Sequence, residues 1–203
     1  MNFDKFLEKE ALFLTEIKDK IKSSYPDEKV RFRALDYFKE IKVKVVILGQ
    51  DPYHDGSADG LAFSCPRKIP ASLKNIFKAL KEQGYENKSA DLSHWAEQGV
   101  LLLNTALSVE KSKPKSHVSL WTPFTIDLIK HICENAYYCV WLLWGRPAQT
   151  YKQYITVGKV YECCHPSPLN GTRFIEEQRE CPHFLKANKR LVKHDMSPID
   201  WDS

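Results

Sequence analysis

Four short apolar runs limit what this chain can fold into more than any other feature. They are rich in Val, Ile, Leu and aromatic residues, and segments with helical patterns lie between some of them. The runs are Lys44–Leu48, Val100–Leu103, Tyr138–Trp144 and Lys159–Cys163. Short apolar strands that alternate with helices are typical of parallel sheets. The sequence therefore predicts an α/β fold, a single domain over residues 1–203 with a central four-stranded parallel sheet flanked by helices.

Helix boundaries can be predicted from capping residues. Ser72 is a candidate N-cap for a helix through "SLKNIFKALKEQG", which Gly84 would end. Thr122 followed by Pro123 has the order of cap and first helical residue, and predicts a helix through "TPFTIDLIKHICENA". The N-terminal "FDKFLEKEALFLTEIKDKI" has apolar residues at helical spacing and predicts one amphipathic helix over one side of the sheet.

Polar residues follow each predicted strand, at the place where open α/β sheets bind their ligands. The strands lead in turn into Gln50 and Asp51, Asn104, Arg146, and His165. An unpaired amide directly after an apolar strand would cost about 1–3 kcal/mol, so Asn104 needs a partner. Taken singly, each residue also has a structural interpretation: Asp51 as a turn cap, His165 as a hydrogen-bonded structural residue, and Asn104 as a partner for a neighbouring loop backbone.

Length and charge set broader limits. The chain has 203 residues, 43% of them hydrophobic, which is enough for one well-filled core. Its 30 basic and 26 acidic residues leave a net charge of +4. The sequence pI is 8.6. Strongly basic nucleic-acid-binding domains have a pI above about 9. Composition alone therefore identifies no partner.

The cysteines and the apolar runs indicate the environment of the protein. None of the six cysteines forms a CxxC pair of the kind found in zinc or dithiol sites, so we expect reduced thiols. No apolar run approaches the roughly 20 residues of a membrane span, and the N-terminus has no apolar stretch of signal-peptide length. We expect a soluble intracellular protein.

Seven stretches of the chain, taken in order, resemble one known family. They are "GQDPYH" (49–54), "GLAFS" (60–64), "PASLKNIFKAL" (70–80), "WAEQGVLLLNTALSV" (95–109), "HPSPL" (165–169), "CPHF" (181–184) and "SPIDW" (197–201). The chain is similar to the family 1 uracil-DNA glycosylases, and "GQDPYH" together with "HPSPL" at this separation is highly specific. The resemblance implies an enzyme of DNA repair that hydrolyses the N-glycosidic bond of uracil.

The resemblance implies two catalytic residues. Asp51 would orient the attacking water and stabilise positive charge on the sugar. His165, as a neutral imidazole, would donate a hydrogen bond to uracil O2 while the base leaves as an anion. Both roles place polar groups where charge develops only in the transition state.

The resemblance also implies the residues that recognise the base. Asn104 would read the uracil edge, since a carboxamide matches its N3–H donor and O4 acceptor. Phe63 would stack on the base, Tyr53 would fill the space of the thymine C5 methyl group, and Gln50 would complete the uracil site. Without the surrounding motifs, Phe63 and Tyr53 would be read as core aromatics.

The target nucleotide must leave the duplex to reach such a site. The resemblance implies that Leu169 would occupy the space that the nucleotide leaves. Without the resemblance, Leu169 would be interpreted as a loop leucine packed on the core. Ser72 and Ser167 would hold phosphates through hydroxyl and backbone donors. Arg146 stands where the family usually has a serine, and it could supply a stronger, more salt-sensitive phosphate contact.

The resemblance further implies an enzyme without lyase activity, cofactor or metal. Its partner would be uracil-containing DNA, single- or double-stranded. We expect a monomer that protein inhibitors mimicking DNA could block, with a cytoplasmic location if the source is bacterial.

Two loops depart from the family pattern. The stretch "DPYHDGSADGLAFS" is slightly short and has Asp59 where a histidine is common, so the approach to Phe63 could differ in shape. The loop-like "HPSPLNGTRFIEEQREC" is a few residues long and has Asn170 where a serine is common. Its three acids, expected on a solvated face, are Glu176, Glu177 and Glu180. We hypothesise that the longer segment changes how deeply Leu169 inserts.

Three alternatives remain open. The chain could be a DNA-binding module that has kept the fold and lost the chemistry, since fold does not imply activity. It could act on another base such as thymine, against which Tyr53 argues sterically. Asp and His are also ordinary metal ligands, so it could be a metallohydrolase that uses Asp51, His54, His165 and His183.

Overall fold

The computed structural model describes residues 3–39 and 41–202. The helices are α1 (Phe3–Lys9), α2 (Ala11–Ile21), α3 (Arg33–Asp36), α4 (Ala71–Glu82), α5 (Ser93–Glu97), α6 (Val118–Asn135), α7 (Arg146–Gln149), α8 (Arg173–Glu180) and α9 (His183–Lys193). The strands are β1 (Ser24–Tyr25), β2 (Val45–Gly49), β3 (Val100–Asn104), β4 (Val109–Glu110), β5 (Val140–Trp144) and β6 (Lys159–Cys163). Short 3-10 helices cover Glu28–Val30, Thr150–Tyr154 and Pro168–Asn170.

A parallel sheet with strand order β3-β2-β5-β6 forms the centre of the fold. Every residue of β2, β3 and β5 is buried, which explains why these strands read as unbroken apolar runs. The strand β6 lies at an edge of the sheet, and only its last residue, Cys163, is buried. The four-stranded parallel sheet flanked by helices is confirmed, and each strand lies within two residues of its predicted bounds.

The register of the sheet brings the polar strand ends together. Gly49 pairs with Asn104 across β2 and β3, and Trp144 pairs with Cys163 across β5 and β6. The ends of β2 and β3 are further joined because Thr105 N donates to the Gly49 carbonyl at 3.0 Å. The residues that follow these strands therefore start from one edge of the sheet.

For α4, the predicted N-cap was wrong and the predicted C-terminal end was right. Pro70, with extended backbone, is the N-cap, and Ser72 is the second helical residue and lines a cavity. Proline fixes the angle at which the chain enters the helix, and no side chain caps this end. At the other end, Gly84 N donates to Lys81 O and Tyr85 N to Leu80 O, the Schellman pattern that the glycine predicted.

The helix α6 begins one turn before the predicted Thr122 cap. The Thr122 hydroxyl donates back to the Val118 carbonyl at 2.8 Å, and Pro123 lies inside the helix. Trp121 explains the extra turn, because it is fully buried and its indole donates to Ser108 Oγ at 2.7 Å. Burial of this indole outweighs the local signal from Thr122 and Pro123.

The N-terminal segment forms two helices instead of one. Glu10 separates α1 from α2, and burial raises the pKa of its carboxyl. Phe6 packs edge-on against Phe124 of α6 with ring centroids 5.3 Å apart. The apolar face of α1 therefore packs on a helix, while Leu12 of α2 is 81% exposed.

The long segment after His165 was expected to be a loop but contains α8. Phe174 and Ile175 are buried, so an apolar stripe fastens this helix to the protein. Of the acids expected on a solvated face, Glu176 and Glu180 are exposed, whereas Glu177 is half-buried and contacts the backbone of Cys164.

All six cysteines are free, and Cys65, Cys133, Cys139 and Cys163 are buried. Over the residues that the structure describes, no helix is long and apolar enough to cross a bilayer.

A buried histidine lies in the core between β5 and α9. Trp144 Nε1 donates to His183 Nδ1 at 3.0 Å, and the imidazole is fully buried. Burial, with a smaller contribution from Lys186, lowers the pKa of His183 to about 4. A proton on Nδ1 would also remove the acceptor of the Trp144 indole.

This histidine should make stability depend on pH. Because its folded pKa lies below the ordinary value near 6.5, the unfolded chain takes up the proton first, and stability is lost as pH falls from about 6.5 to about 4. We expect a loss of about 3 kcal/mol over this window, absent in His183→Gln, measured by urea unfolding at each pH. The matched control is His54→Gln at an exposed histidine. Parallel curves for wild type and His183→Gln would contradict this assignment.

Candidate active site

A cavity of about 150 Å³ opens at the carboxyl ends of the central strands. It brings together seven of the predicted site residues, drawn from five separate parts of the chain. They are Gln50, Asp51, Tyr53, Phe63, Ser72, Asn104 and His165. The structure thus places in one cavity both predicted catalytic residues and all four residues predicted to bind the base.

Asn104 presents a buried carboxamide to this cavity. The residue is only 8% exposed. Within residues 3–39 and 41–202, its side chain has no hydrogen-bond partner, so it does not serve a neighbouring loop. A Cβ on Gly49 would lie 2.3 Å from Asn104 Oδ1, so only glycine leaves room for the amide there. An amide that faces a cavity and has no protein partner is available to pair with a ligand.

Asp51 has a fixed orientation. The backbone N–H of Lys115 donates to Asp51 Oδ2 at 2.6 Å, and Gln50 Nε2 donates to Oδ1 at 3.3 Å. The backbone of Gln50 is itself held in place, because its main-chain carbonyl accepts from the Thr105 hydroxyl at 2.8 Å. Asp51 is therefore more than a local turn cap: its neighbour Gln50 and a second, distant loop at Lys115 together aim its carboxylate.

His165 is held as one neutral tautomer. The backbone N–H of Ser167 donates to His165 Nδ1 at 3.0 Å, which leaves the proton on Nε2. Burial lowers the pKa of His165, Asp51 opposes this change, and Lys115 adds to it. Gly145 allows the ring to approach β5, since a Cβ there would lie 2.8 Å from that of His165.

Two aromatic residues shape the wall of the cavity. Phe63 has a φ of +66°, a left-handed conformation that costs a non-glycine residue about 1–3 kcal/mol. Its ring lies 5.9 Å from that of His165 and 5.6 Å from that of Trp144, between centroids. Tyr53 Oη donates to the Phe63 carbonyl at 3.1 Å, and burial raises the Tyr53 pKa, so the phenol stays a donor. Strain of this kind concentrates at functional sites.

Asp59 anchors the loop before Phe63. Its carboxylate accepts from Arg33 Nη1 and from Ser64 Oγ, each at 2.7 Å. Arg33 in turn donates to Ser93 Oγ at 2.6 Å. The loop that carries Phe63 is thereby tied to α3 and α5.

A wider groove of about 780 Å³ adjoins the cavity. It contains the three remaining predicted residues, Arg146, Ser167 and Leu169. Leu169 is 95% exposed, which excludes a role in the core. Two cations that were not predicted, Lys115 and Arg173, also line this groove.

Sequence reasoning missed two residues that support the site. Lys115 fixes Asp51 through its backbone N–H from 64 residues away, in a left-handed conformation with φ of +69°. Asn75 is buried on α4, and its amide donates to the Pro166 carbonyl at 2.9 Å. A polar Asn75 within the apolar face of "SLKNIFKAL" is a sequence signal for a buried hydrogen bond. No local pattern in the sequence indicates that Lys115 contacts Asp51.

The geometry does not support the metal alternative. His183 lies in the core against Trp144, away from the other three proposed ligands. Among the residues described, no three His, Cys, Asp or Glu side chains are grouped to hold a metal ion.

Comparison with known proteins identifies the family. The family model described as the uracil DNA glycosylase superfamily matches residues 35–192. The chain belongs to the uracil DNA glycosylase superfamily. A uracil-DNA glycosylase of Campylobacter concisus (strain 13826) is 43% identical over 98% of this chain and 90% of its own length. One of Serratia proteamaculans (strain 568) is 45% identical over 89% of this chain and 82% of its own.

Solved structures of this superfamily have the same fold. The crystal structure of mimivirus uracil-DNA glycosylase superposes with a TM-score of 0.86 at 26% identity, covering 99% of this chain and 85% of that one. A variant of the mimivirus protein in complex with UGI has a TM-score of 0.84 at 26% identity, over 100% and 83%.

The charge of Lys115 should be measurable at His165 in this glycosylase. Removing the ammonium by Lys115→Met is expected to raise the pKa of His165, because Lys115 disfavours the imidazolium. An NMR titration of the His165 ring protons measures the change. Lys113→Met is the control, since Lys113 pairs with Glu110 at 2.5 Å. An unchanged His165 pKa in Lys115→Met would show that screening removes the interaction.

Proposed function

We propose that this protein hydrolyses the N-glycosidic bond of uracil in DNA and leaves an abasic site. The observation that carries the proposal is the Asn104 carboxamide, which has no hydrogen-bond partner in the described part of the chain and lies over Gly49 in a cavity that also contains Asp51 and His165. Membership of the uracil DNA glycosylase superfamily supports the same activity. We further propose that residues 1–203 act as one domain.

Recognition of uracil would depend on hydrogen bonding and on shape. The Asn104 amide offers an acceptor to N3–H and a donor to O4, and cytosine reverses this pattern. Tyr53 lines the cavity and excludes the methyl group of thymine, while its bond to the Phe63 carbonyl keeps the ring in place. Phe63 supplies the stacking surface. The cavity thus selects a flat base with the uracil edge and without a C5 methyl group.

The groove would hold DNA with the target nucleotide turned out of the stack. Leu169 extends into solvent on the Pro168–Asn170 turn, which suits a side chain that fills the space left by the base. Ser72 and Ser167 offer hydroxyl groups beside the cavity to flanking phosphates. Arg146, at the start of α7, adds a charged phosphate contact whose strength should fall with salt.

The reaction needs no group beyond the chain, the DNA and water. The bond between the sugar C1′ and uracil N1 breaks, and its electron pair leaves with the base. His165 Nε2–H donates to uracil O2 and stabilises the anion, which later takes a proton from solvent. Asp51 stabilises the positive sugar and orients a water whose oxygen bonds to C1′ while one of its protons passes to the Asp51 carboxylate and from there to solvent, which balances the proton that the uracil anion takes up. The neutral tautomer observed for His165 suits this role because it keeps a hydrogen on Nε2 that can be donated to uracil O2.

The partners follow from the groove. We propose that it accepts uracil in single- and double-stranded DNA, and that the protein acts as a monomer. A protein inhibitor presenting DNA-like negative charge would compete for the same surface, and the relative solved in complex with UGI supports protein binding by this fold.

A DNA-binding module without chemistry is the second candidate. The fold alone would allow it. Against it stand the two contacts that aim Asp51 and the hydrogen bond that selects the His165 tautomer, because binding alone requires neither.

The first experiment measures release of free base. An oligonucleotide with one uracil should release uracil in the presence of EDTA, while thymine and cytosine substrates stay intact. Asp51→Asn is expected to lower kcat at least about a hundredfold with DNA binding retained. The control is Asp55→Asn, the same change on the same loop in a carboxylate that pairs with Lys68. DNA binding without any release by the wild type would favour the non-catalytic module.

Base selectivity tests the placement of Tyr53. Removing the ring by Tyr53→Ala should open room for a methyl group and allow thymine release that the wild type lacks. Tyr53→Phe keeps the ring and loses only the bond to the Phe63 carbonyl, so it should still exclude thymine. Both variants are assayed on matched uracil and thymine oligonucleotides. If Tyr53→Ala still cuts uracil and leaves thymine intact, another residue excludes the methyl group.

A further inference from the structure

Besides Asp51, two carboxylates line the groove: Glu162, which pairs with Lys152, and Glu177, whose place beside bound DNA needs another explanation. We propose that Glu177 of α8 is a positioning residue, which holds the peptide group leading into His165; the proposal rests on the function proposed above. It lies in the segment that departs from the family pattern, where the sequence indicated only a solvated acidic face.

The contacts of Glu177 are specific on both oxygens. Oε2 accepts from the Cys164 backbone N–H at 2.5 Å, and Oε1 accepts from Arg173 Nε at 2.6 Å. The Glu177 side chain is 26% exposed, whereas that of Arg173 is 70% exposed. Glu177 is thus turned toward the backbone, with Arg173 covering its outer side.

The peptide group that Glu177 contacts is held at both ends. The carbonyl of Cys163 belongs to the same peptide group as the Cys164 N–H. It accepts from Gly145 N and from Gln149 Nε2, each at 2.8 Å. Because the Cys164 N–H also donates to Glu177, the plane of this peptide group cannot rotate without breaking a hydrogen bond. That plane sets the direction in which the chain continues into His165.

A purely electrostatic role does not account for this placement. Glu177 lines the same groove as Arg146, Ser167 and Leu169, where a negative charge opposes phosphate binding. Burial by itself would raise the pKa of Glu177, but the bonds from Cys164 N–H and Arg173 outweigh it and lower the pKa. The group therefore stays ionised beside the DNA, and the bond to the backbone offsets that disadvantage.

The two effects of Glu177 predict opposite changes in kinetics. Loss of the acceptor lets His165 shift, so kcat should fall, because catalysis is sensitive to displacements near 1 Å. Loss of the charge removes repulsion, so KM for DNA should fall. Glu177→Ala loses both features, whereas Glu177→Gln loses the charge and keeps an oxygen for the Cys164 N–H.

The kinetic experiment compares these variants on uracil-containing DNA. Glu177→Ala is expected to lower kcat roughly tenfold, and Glu177→Gln to stay within about threefold of wild type, with KM lowered in both. Glu180→Ala and Glu180→Gln are the matched controls, since Glu180 is an exposed acid on the same helix. An unchanged kcat in Glu177→Ala, or an equal loss in Glu177→Gln, would overturn the proposal.

A second measurement does not depend on activity. Hydrogen exchange of the Cys164 amide, followed by NMR, should be slow in wild type and in Glu177→Gln and faster in Glu177→Ala. Thermal unfolding of each variant separates this local effect from a global loss of stability. A Cys164 amide that stays protected in Glu177→Ala would overturn the positioning role. Absence of uracil release by the wild type would instead overturn the proposed function, and the amide measurement would still decide whether Glu177 holds the peptide group.

Discussion

The parallel pairing of β2 with both β3 and β5 is the constraint on which the rest of the structure depends. It places Gly49 directly beside Asn104, so a glycine on one strand makes room for an amide on the next. It also brings the loops after these strands to a single edge. A shift of one residue in this register would turn every side chain of a strand to the other face and separate the polar ends.

The site combines groups mounted on this rigid sheet with groups held by loops. Asn104 ends a buried strand, so its position follows from the sheet itself. Asp51 and His165 lie just beyond their strands and need further hydrogen bonds, from Lys115 N–H and Ser167 N–H. The bond between Asn75 and the Pro166 carbonyl adds support from α4. Such supporting contacts keep catalytic groups within the narrow limits that chemistry requires.

Prediction from sequence was most accurate where a local pattern decides the structure. The four strands were recognised because burial on both faces makes them continuous apolar runs, and Gly84 was recognised as a helix end because glycine adopts positive φ readily. The caps at Ser72 and Thr122 were wrong because Pro70 and the buried Trp121 set the helix starts. The helix α8 was missed because charged residues dominate its sequence, and only its packing shows which side is apolar.

The candidate site, like the fold, has features that follow from the sequence and features that only the tertiary structure shows. The sequence by itself determined that polar residues follow the strands, in the chain order Asp51, Asn104 and His165, and it carries the family resemblance that assigns their roles. Only the tertiary structure decided which groups hold them. Lys115 reaches Asp51 across 64 residues, and Glu177 reaches the backbone before His165 from a helix that the sequence did not predict. The physical reason is that periodicity and capping act over a few residues, whereas these hydrogen bonds exist only after distant loops have been brought to the same edge of the sheet.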